Sequence, residues 1–305
     1  MDNIHTEKGV LPAVRELLTG AIDYAGLFPP SNLSMSDAVI NYAAYRNSNF
    51  SWMLGRFVLP VSQLPEFMQH AQDFMARDST NMWRLSALSG EDIYETVREI
   101  ENFNREYAGS VVIDSLEVKA NTISKIDNTV SALPEGLTAY FEIDTGDNFA
   151  DLVAQLSLKR QRAKIRTGGV TADAFPSTAD IIRFVRTCLA ANVPFKATAG
   201  LHHPIRCYRP LTYESNAPQG TMHGFLNLFL MTGFLLEGFR PTLLEHIMEE
   251  EYDEVFVFDE SGATWQGEFM LSTRNIERLR RVGIQSFGSC SFDEPVGDLQ
   301  KMDIL

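Results

Sequence analysis

Cysteine is scarce in this chain. Cys188, Cys207 and Cys290 are the only three among 305 residues, an odd number without the short paired spacings that hold zinc or iron–sulfur clusters. A disulfide framework is therefore excluded, and a reducing cytoplasm is the natural setting. Positive charge is also short: 26 Lys and Arg stand against 40 Asp and Glu, a formal net charge of −14. Such a balance argues against nonspecific binding to nucleic acid or to an anionic membrane. Apart from EHIMEEEYDE at 245–254 the acidic residues are dispersed, so they act as solubilising charge and not as an acidic tail. Long hydrophobic runs are missing as well. The most apolar stretch, GFLNLFLMTGFLLEGF at 224–239, is short for a bilayer and carries Asn227 and Glu237, which suits a buried or subunit-interface helix. The opening MDNIHTEKGV has no basic–apolar–small pattern, so no secretory leader is expected. No Ser/Gly linker divides the chain, and a single domain over 1–305 is expected. A P-loop, a G-x-G-x-x-G and a G-x-S-x-G are all absent, which removes the common nucleotide-binding and α/β-hydrolase readings.

What the chain does contain is an alternation of short apolar, β-branched runs with stretches of helical period. The runs are AIDYAGLF (21–28), RFVLP (56–60), RLSAL (84–88), SVVIDSLEV (110–118), TAYFEID (138–144), AKIRTGG (163–169), PFKATAG (194–200) and IQSFGSC (284–290). Between them lie helical patterns at 65–75, 91–107, 149–158 and 178–192; the last places Ile181, Ile182, Phe184, Val185, Cys188 and Leu189 on one broad face. Repeated βα units with eight strands predict an α/β fold, a closed (β/α)8 TIM barrel. An excess at 203–283 predicts an insertion between strands seven and eight, near the barrel mouth. It holds the apolar helix and a hairpin, EVFVFDESGATWQGEFM (254–270), turning at Glu260–Ser261–Gly262.

In a parallel barrel the chemistry sits at the C-terminal strand ends. Lys164 and Lys196 stand near the ends of consecutive strands, in K-x-x-T-G and F-K-x-x-x-G settings. Adjacent strands are about 4.8 Å apart, so two lysines at one level are close neighbours. Desolvation and a nearby like charge both disfavour ammonium, which predicts a depressed pKa for at least one amine. A neutral amine attacks carbonyls and forms a Schiff base, an electron sink for making or breaking an adjacent C–C bond. That chemistry needs a proton shuttle, for which Asp114 and Glu117 are the candidates. Lys164, Arg166 and Lys196 could instead clamp a phosphate or carboxylate.

Read in order, these segments resemble a known pattern. AIDYAGLFPP (21–30) is similar to an I-D-x-x-x-L-x-P strand, and VVIDSLEV to a strand bearing an I-D-x-V aspartate. FEIDTGDNFADL (141–152) is similar to I-E-T-G-x-L, KIRTGGVTADAFPS (164–177) to K-T-S-T-G with its following loop and helix, FKATAGL to F-K-P-A-G-G-V, and SFGSCS (286–291) to R-F-G-A-S-S. The series resembles the deoxyribose-phosphate aldolase family, class I aldolases on a (β/α)8 barrel. The resemblance implies a Schiff-base lyase or aldolase that needs no cofactor or metal. Lys164 would form the imine, Lys196 would lower its pKa and relay protons, and Asp114 would be the acid/base, with Glu117 taking that place if the strand alignment slips. It also implies a substrate-binding rim of Asp23, Arg166, Thr167, Gly168, Gly200, His202, Gly288, Ser289 and Cys290. The chain departs from the pattern at Arg166, where the family has a serine, at His202, where it has an arginine, and at Cys290, which replaces the first of two serines. The long insertion is foreign to the family, as a lid or subunit interface would be. A phosphorylated sugar is therefore not carried over, and the partner expected is a small carbonyl compound, anionic at one end, with the apolar helix suggesting a homo-oligomer.

Two other readings stand beside this one. His202, His203 and His223, with Cys207, Asp259 and Glu260, could assemble a metal site for a hydrolase or lyase. Alternatively, the barrel could be non-catalytic and use its lysines to hold a metabolite anion. Cys290 has no histidine near it in sequence and reads as a buried small residue.

Overall fold

The structure is a computed structural model and describes residues 9–75 and 80–305. Most of the MDNIHTEKGV segment, read above for its lack of a leader, lies outside the described residues. Seven parallel strands come first: β1 (Ile22–Tyr24), β2 (Leu54–Pro60), β3 (Trp83–Leu88), β4 (Val111–Lys119), β5 (Thr138–Glu142), β6 (Arg162–Arg166) and β7 (Phe195–Thr198). The chain then forms β8 (Cys207–Pro210), β9 (Gln219–Met222), β10 (Phe256–Phe258), β11 (Gly262–Trp265) and β12 (Phe269–Ser272), and returns with β13 (Ile284–Ser289). The order β1-β13-β7-β6-β5-β4-β3-β2 closes an eight-stranded barrel. Every barrel strand falls within or across one of the eight segments predicted from sequence, and the insertion after β7 is where the excess residues placed it.

Helix α1 (Pro12–Leu18) precedes the barrel, and α2 (Met35–Arg46), α3 (Leu64–Ala71), α4 (Ile93–Glu106), α5 (Ile123–Ala132), α6 (Phe149–Leu158) and α7 (Thr178–Ala190) follow β1 to β6 in turn. Four of them, α2, α4, α5 and α7, start where the sequence supplies side-chain caps. Ser34, Asp92, Thr122 and Ser177 each accept a backbone N–H of the first turn. Their buried faces have helical spacing; in α4 this is Ile93, Val97, Ile100 and Phe103. Burial of each such side chain contributes about 1.5–3 kcal/mol.

The insertion supplies α8 (Phe225–Leu236), α9 (Pro241–Glu249) and α10 (Thr273–Val282), and α11 (Asp293–Lys301) follows β13. Residues Phe225 to Phe234 of α8 are buried all round. The helix packs on β13, with Phe225 stacked on Phe287 at 4.7 Å, and against α9 and α10. Its apolar composition is thus used within one chain. The predicted hairpin forms as β10 and β11, but a third strand, β12, extends it. The approach is so close that a Cβ at Gly262 would lie 2.1 Å from the Leu271 carbonyl oxygen. This three-stranded sheet packs on α1, α8 and α10, whereas the β8–β9 hairpin carries Tyr213 to the barrel mouth, 3.7 Å from Cys290 Sγ. Among the described residues no helix is long and apolar enough to cross a membrane.

The barrel interior is the unusual part. Such interiors are ordinarily filled by branched aliphatics, yet here Asp23, Ser86, Ser115, Glu117, Lys164, Lys196 and Ser286 are all buried. The apolar core lies instead between strands and helices. One irregularity sets the column. On β4 the register against β3 runs Leu85↔Ile113 and then Ser86↔Ser115, so Asp114 is the extra residue of a bulge.

Candidate active site

Register brings the charges together. Glu142 of β5 stands beside Lys164 of β6, and Lys164 beside Lys196 of β7. The two lysines share one carboxylate. Glu117 accepts from both, from Lys196 Nζ at Oε1 and from Lys164 Nζ at Oε2, each at 2.7 Å. Lys196 also donates to Asp23 Oδ2 at 2.6 Å, and Lys164 lies 2.8 Å from Glu142 Oε2. The result is a buried ladder, Asp23–Lys196–Glu117–Lys164–Glu142. The ladder is anchored further at one end and at its centre: Asp23 accepts from the Ser286 hydroxyl at 2.8 Å and from the Arg56 backbone N–H at 2.8 Å, while Glu117 accepts from the Ser86 hydroxyl at 3.0 Å.

This arrangement corrects the expected electrostatics. Burial alone would lower both amines, but Glu117 and Glu142 around Lys164, and Asp23 and Glu117 around Lys196, outweigh it and raise both above the usual lysine range. Burial alone would likewise raise Glu117, yet the two ammonium groups hold it well below the usual carboxylate range. The like-charge repulsion expected between the lysines is interrupted by the carboxylate lodged between them. At rest both amines are ammonium.

Asp114 does not join the ladder. The bulge turns it toward Arg56 Nε at 2.5 Å and Arg84 Nε at 2.9 Å. Burial would raise its carboxyl, but those two guanidiniums hold it below its ordinary value. Glu117, three residues on, occupies the place between the lysines.

Above the ladder opens a cavity of about 210 Å³, lined by Glu117, Lys164 and Lys196 at its base. Of the residues expected at a substrate rim, Arg166, Gly200, His202, Gly288 and Cys290 line this cavity. Three other predicted rim residues have structural employment instead. The Thr167 hydroxyl donates to the Ala199 carbonyl at 2.7 Å, Gly168 packs under the Phe175 ring, and the Ser289 carbonyl accepts from the Ala25 N–H at 2.7 Å. Asp23 acts from below, through Lys196. Gly200 has φ +76°, and a Cβ there would sit 2.9 Å from Gly168 Cα, so this turn requires glycine. The apolar wall is contributed by Phe28, Pro29 and Pro30 after β1, with Val58, Leu88 and Val170. None of these wall residues was among the site residues expected from sequence. Sequence reasoning also left Glu142 without a role, although its place at a strand end was the available signal.

At the rim, His202 Nδ1 lies 3.7 Å from Cys290 Sγ and 3.6 Å from Glu294 Oε2. Burial, with the neighbouring charge of His203, lowers His202 to about 4, and burial pushes the Cys290 thiol up. They form a neutral imidazole beside a neutral thiol, brought together across 88 residues of sequence. The three histidines of the metal reading diverge. His203 Nδ1 is 2.7 Å from Asp298, and His223 Nε2 is 2.9 Å from the Pro176 carbonyl oxygen. Among the described residues no group of three His, Cys, Asp or Glu is placed to hold a metal ion.

Compared with family models, curated proteins and solved structures, the chain matches none of them.

Proposed function

We propose that this barrel is a Schiff-base-forming lyase or aldolase of the class I kind, acting on a small aldehyde or keto substrate. One observation carries the reading: a single buried carboxylate, Glu117, is shared at 2.7 Å by two lysines, and both face a partly apolar cavity. Lys164 is the nucleophile, because it lies between Glu117 and Glu142 and so has two carboxylates that can take its proton. Substrate entry displaces water from the cavity, and in that drier medium transfer of a proton from ammonium to carboxylate becomes less costly. The freed amine attacks the carbonyl carbon. The carbinolamine oxygen takes a proton from Glu117 and leaves as water, giving the iminium.

Glu117, again a carboxylate, then removes the proton from the substrate's β-hydroxyl. The Cα–Cβ bond breaks, an aldehyde leaves, and the electron pair enters the iminium to give an enamine. Return of the proton to carbon and addition of water release the second product and regenerate Lys164. Lys196 holds Glu117 in place and passes protons between it and Asp23. It is a relay in this scheme and not a depressor of the Lys164 pKa. Arg166, exposed at the rim, receives the acidic end of the substrate, and the Phe28–Val58–Leu88 wall receives its carbon chain.

A panel of β-hydroxy aldehydes and β-hydroxy or γ-hydroxy keto acids, assayed for released aldehyde, tests the proposal. Turnover by the native chain and its loss in Lys164→Arg and in Glu117→Gln are expected. Turnover that persists in Lys164→Arg overturns the role given to that lysine.

A further inference from the structure

The barrel has a second cavity on the far side of Tyr140, and we infer that it is a binding site for a small oxyanion of the phosphate or sulfate type. The cavity, about 290 Å³, is lined by Arg56, Thr138, Tyr140, Arg162, Arg280, Gln285 and Ser286. Thr138 and Arg162 are the first residues of β5 and β6, and Arg280 lies in the last turn of α10, so the site opens at the N-terminal end of the barrel. Tyr140 separates it from the lysine ladder: Lys196 Nζ lies 5.3 Å from the ring centroid and the Arg162 guanidinium carbon 5.8 Å.

The lining is rich in donors and holds no carboxylate, in a chain whose net charge is −14. Arg56 spends Nε and Nη2 on Asp114 and retains Nη1. Arg162 has no ion pair or hydrogen-bond acceptor among the described residues, and its Nε is buried without a partner. Arg280 is fixed by backbone carbonyls, through Nη1 to Leu17 and through Nη2 to Thr19 at 3.1 Å and Gln285 at 2.6 Å, and its Nε is also buried and unpartnered. Gln285 Oε1 is occupied by the Tyr140 hydroxyl at 2.7 Å, which leaves the Gln285 amide NH₂ as a donor.

Arg162 and Arg280 line this cavity with no carboxylate bonded to either, beside Arg56, whose charge is shared with Asp114; buried guanidinium N–H groups without an acceptor are unfavourable, and an anion in the cavity supplies one. Planar guanidinium forks match the oxygens of a tetrahedral oxyanion, and the cavity has room for one. Arg280 is tethered to carbonyls at the C-terminal end of α1, Leu17 and Thr19, so the site is built from parts held before any ligand arrives. This inference does not depend on the lysine chemistry at the other mouth.

The test is titration of the full chain with inorganic phosphate, and separately with sulfate, by calorimetry and thermal shift against chloride of equal ionic strength. Saturable binding with a rise in Tm is expected. Arg162→Gln should weaken it by about tenfold or more, and Gln285→Glu should abolish it by placing a carboxylate among the guanidiniums. The second variant preserves an acceptor for Tyr140 and serves if Arg162→Gln does not fold. Arg166→Gln, at the lysine mouth, should leave phosphate affinity unchanged. Absence of saturable binding to the native chain overturns the inference. So does a loss of binding in Arg166→Gln with none in Arg162→Gln or Gln285→Glu, which would place the anion at the lysine mouth.

Discussion

Replacing Glu117 with Gln removes one charge and changes almost no volume, at the one residue that both lysines share. In the native chain its two oxygens each accept an ammonium at 2.7 Å, and Oε1 also accepts the Ser86 hydroxyl at 3.0 Å. An amide supplies one acceptor oxygen and turns an NH₂ toward the second ammonium, donor against donor. Lys164 and Lys196 would keep Glu142 and Asp23 respectively, so the loss is of one shared partner and not of all pairing. Breaking a buried ion pair costs about 3–5 kcal/mol, which lowers Tm by about 5–8 °C in a chain of 305 residues. The pH dependence gives the sharper signature. Glu117 has a folded pKa held below its ordinary 4.5 by the two lysines, so its contribution is present above about pH 4.5 and is lost as pH falls toward the folded value. The gap between native chain and variant should therefore be widest at neutral pH and narrow progressively below pH 4.5. Urea unfolding of both proteins from pH 7 down to pH 3 measures it. A variant as stable as the native chain at pH 7, or a gap independent of pH, refutes the ladder.

Three further outcomes follow from the same geometry. Asp114→Asn should retain turnover within about tenfold, far from the 10²–10⁴-fold effect of losing a general acid–base group, while urea unfolding should show lower stability as Arg56 and Arg84 lose their carboxylate. His202 is neutral when folded, with a pKa lowered from 6.5 to about 4; its contribution is present above pH 6.5 and is lost as pH falls toward 4, up to about 3 kcal/mol. NMR titration of its ring should show no protonation above pH 5, and His202→Gln should flatten that part of the stability profile. Gly200→Ala should cost about 1–3 kcal/mol, since φ is +76° and the new Cβ would meet Phe175 at 2.7 Å, and calorimetric unfolding reads this directly.

The barrel was readable because each strand of a parallel sheet covered on both faces leaves a short apolar run between helical periods, and all eight such runs were present. The two lysines were readable for the same reason: identical depth in consecutive strands fixes Lys164 beside Lys196. Their charge state was not. It depends on Asp23, Glu117 and Glu142 from three other strands, whose convergence is a property of closure and not of local pattern. The choice between Asp114 and Glu117 turned on one bulged residue in β4, which shifts the inward face and leaves no local mark in VVIDSLEV. Strand β12 is separated from β11 by three residues, and Trp265 and Phe269 pair across that turn, so the hairpin read from sequence gains a further strand. The arginine cavity escaped notice since attention to strand C-termini passes over Arg56, Arg162 and Gln285 at the other end.

The central claim is that Lys164 forms the imine, and borohydride trapping tests it most directly. The protein is incubated with small aldehydes and keto acids, reduced, and read by intact-mass and peptide mass spectrometry. The account predicts one stable adduct on Lys164, absent in Lys164→Arg and diminished in Lys196→Leu. No adduct with any carbonyl on folded protein, or an adduct that remains in Lys164→Arg, would contradict it.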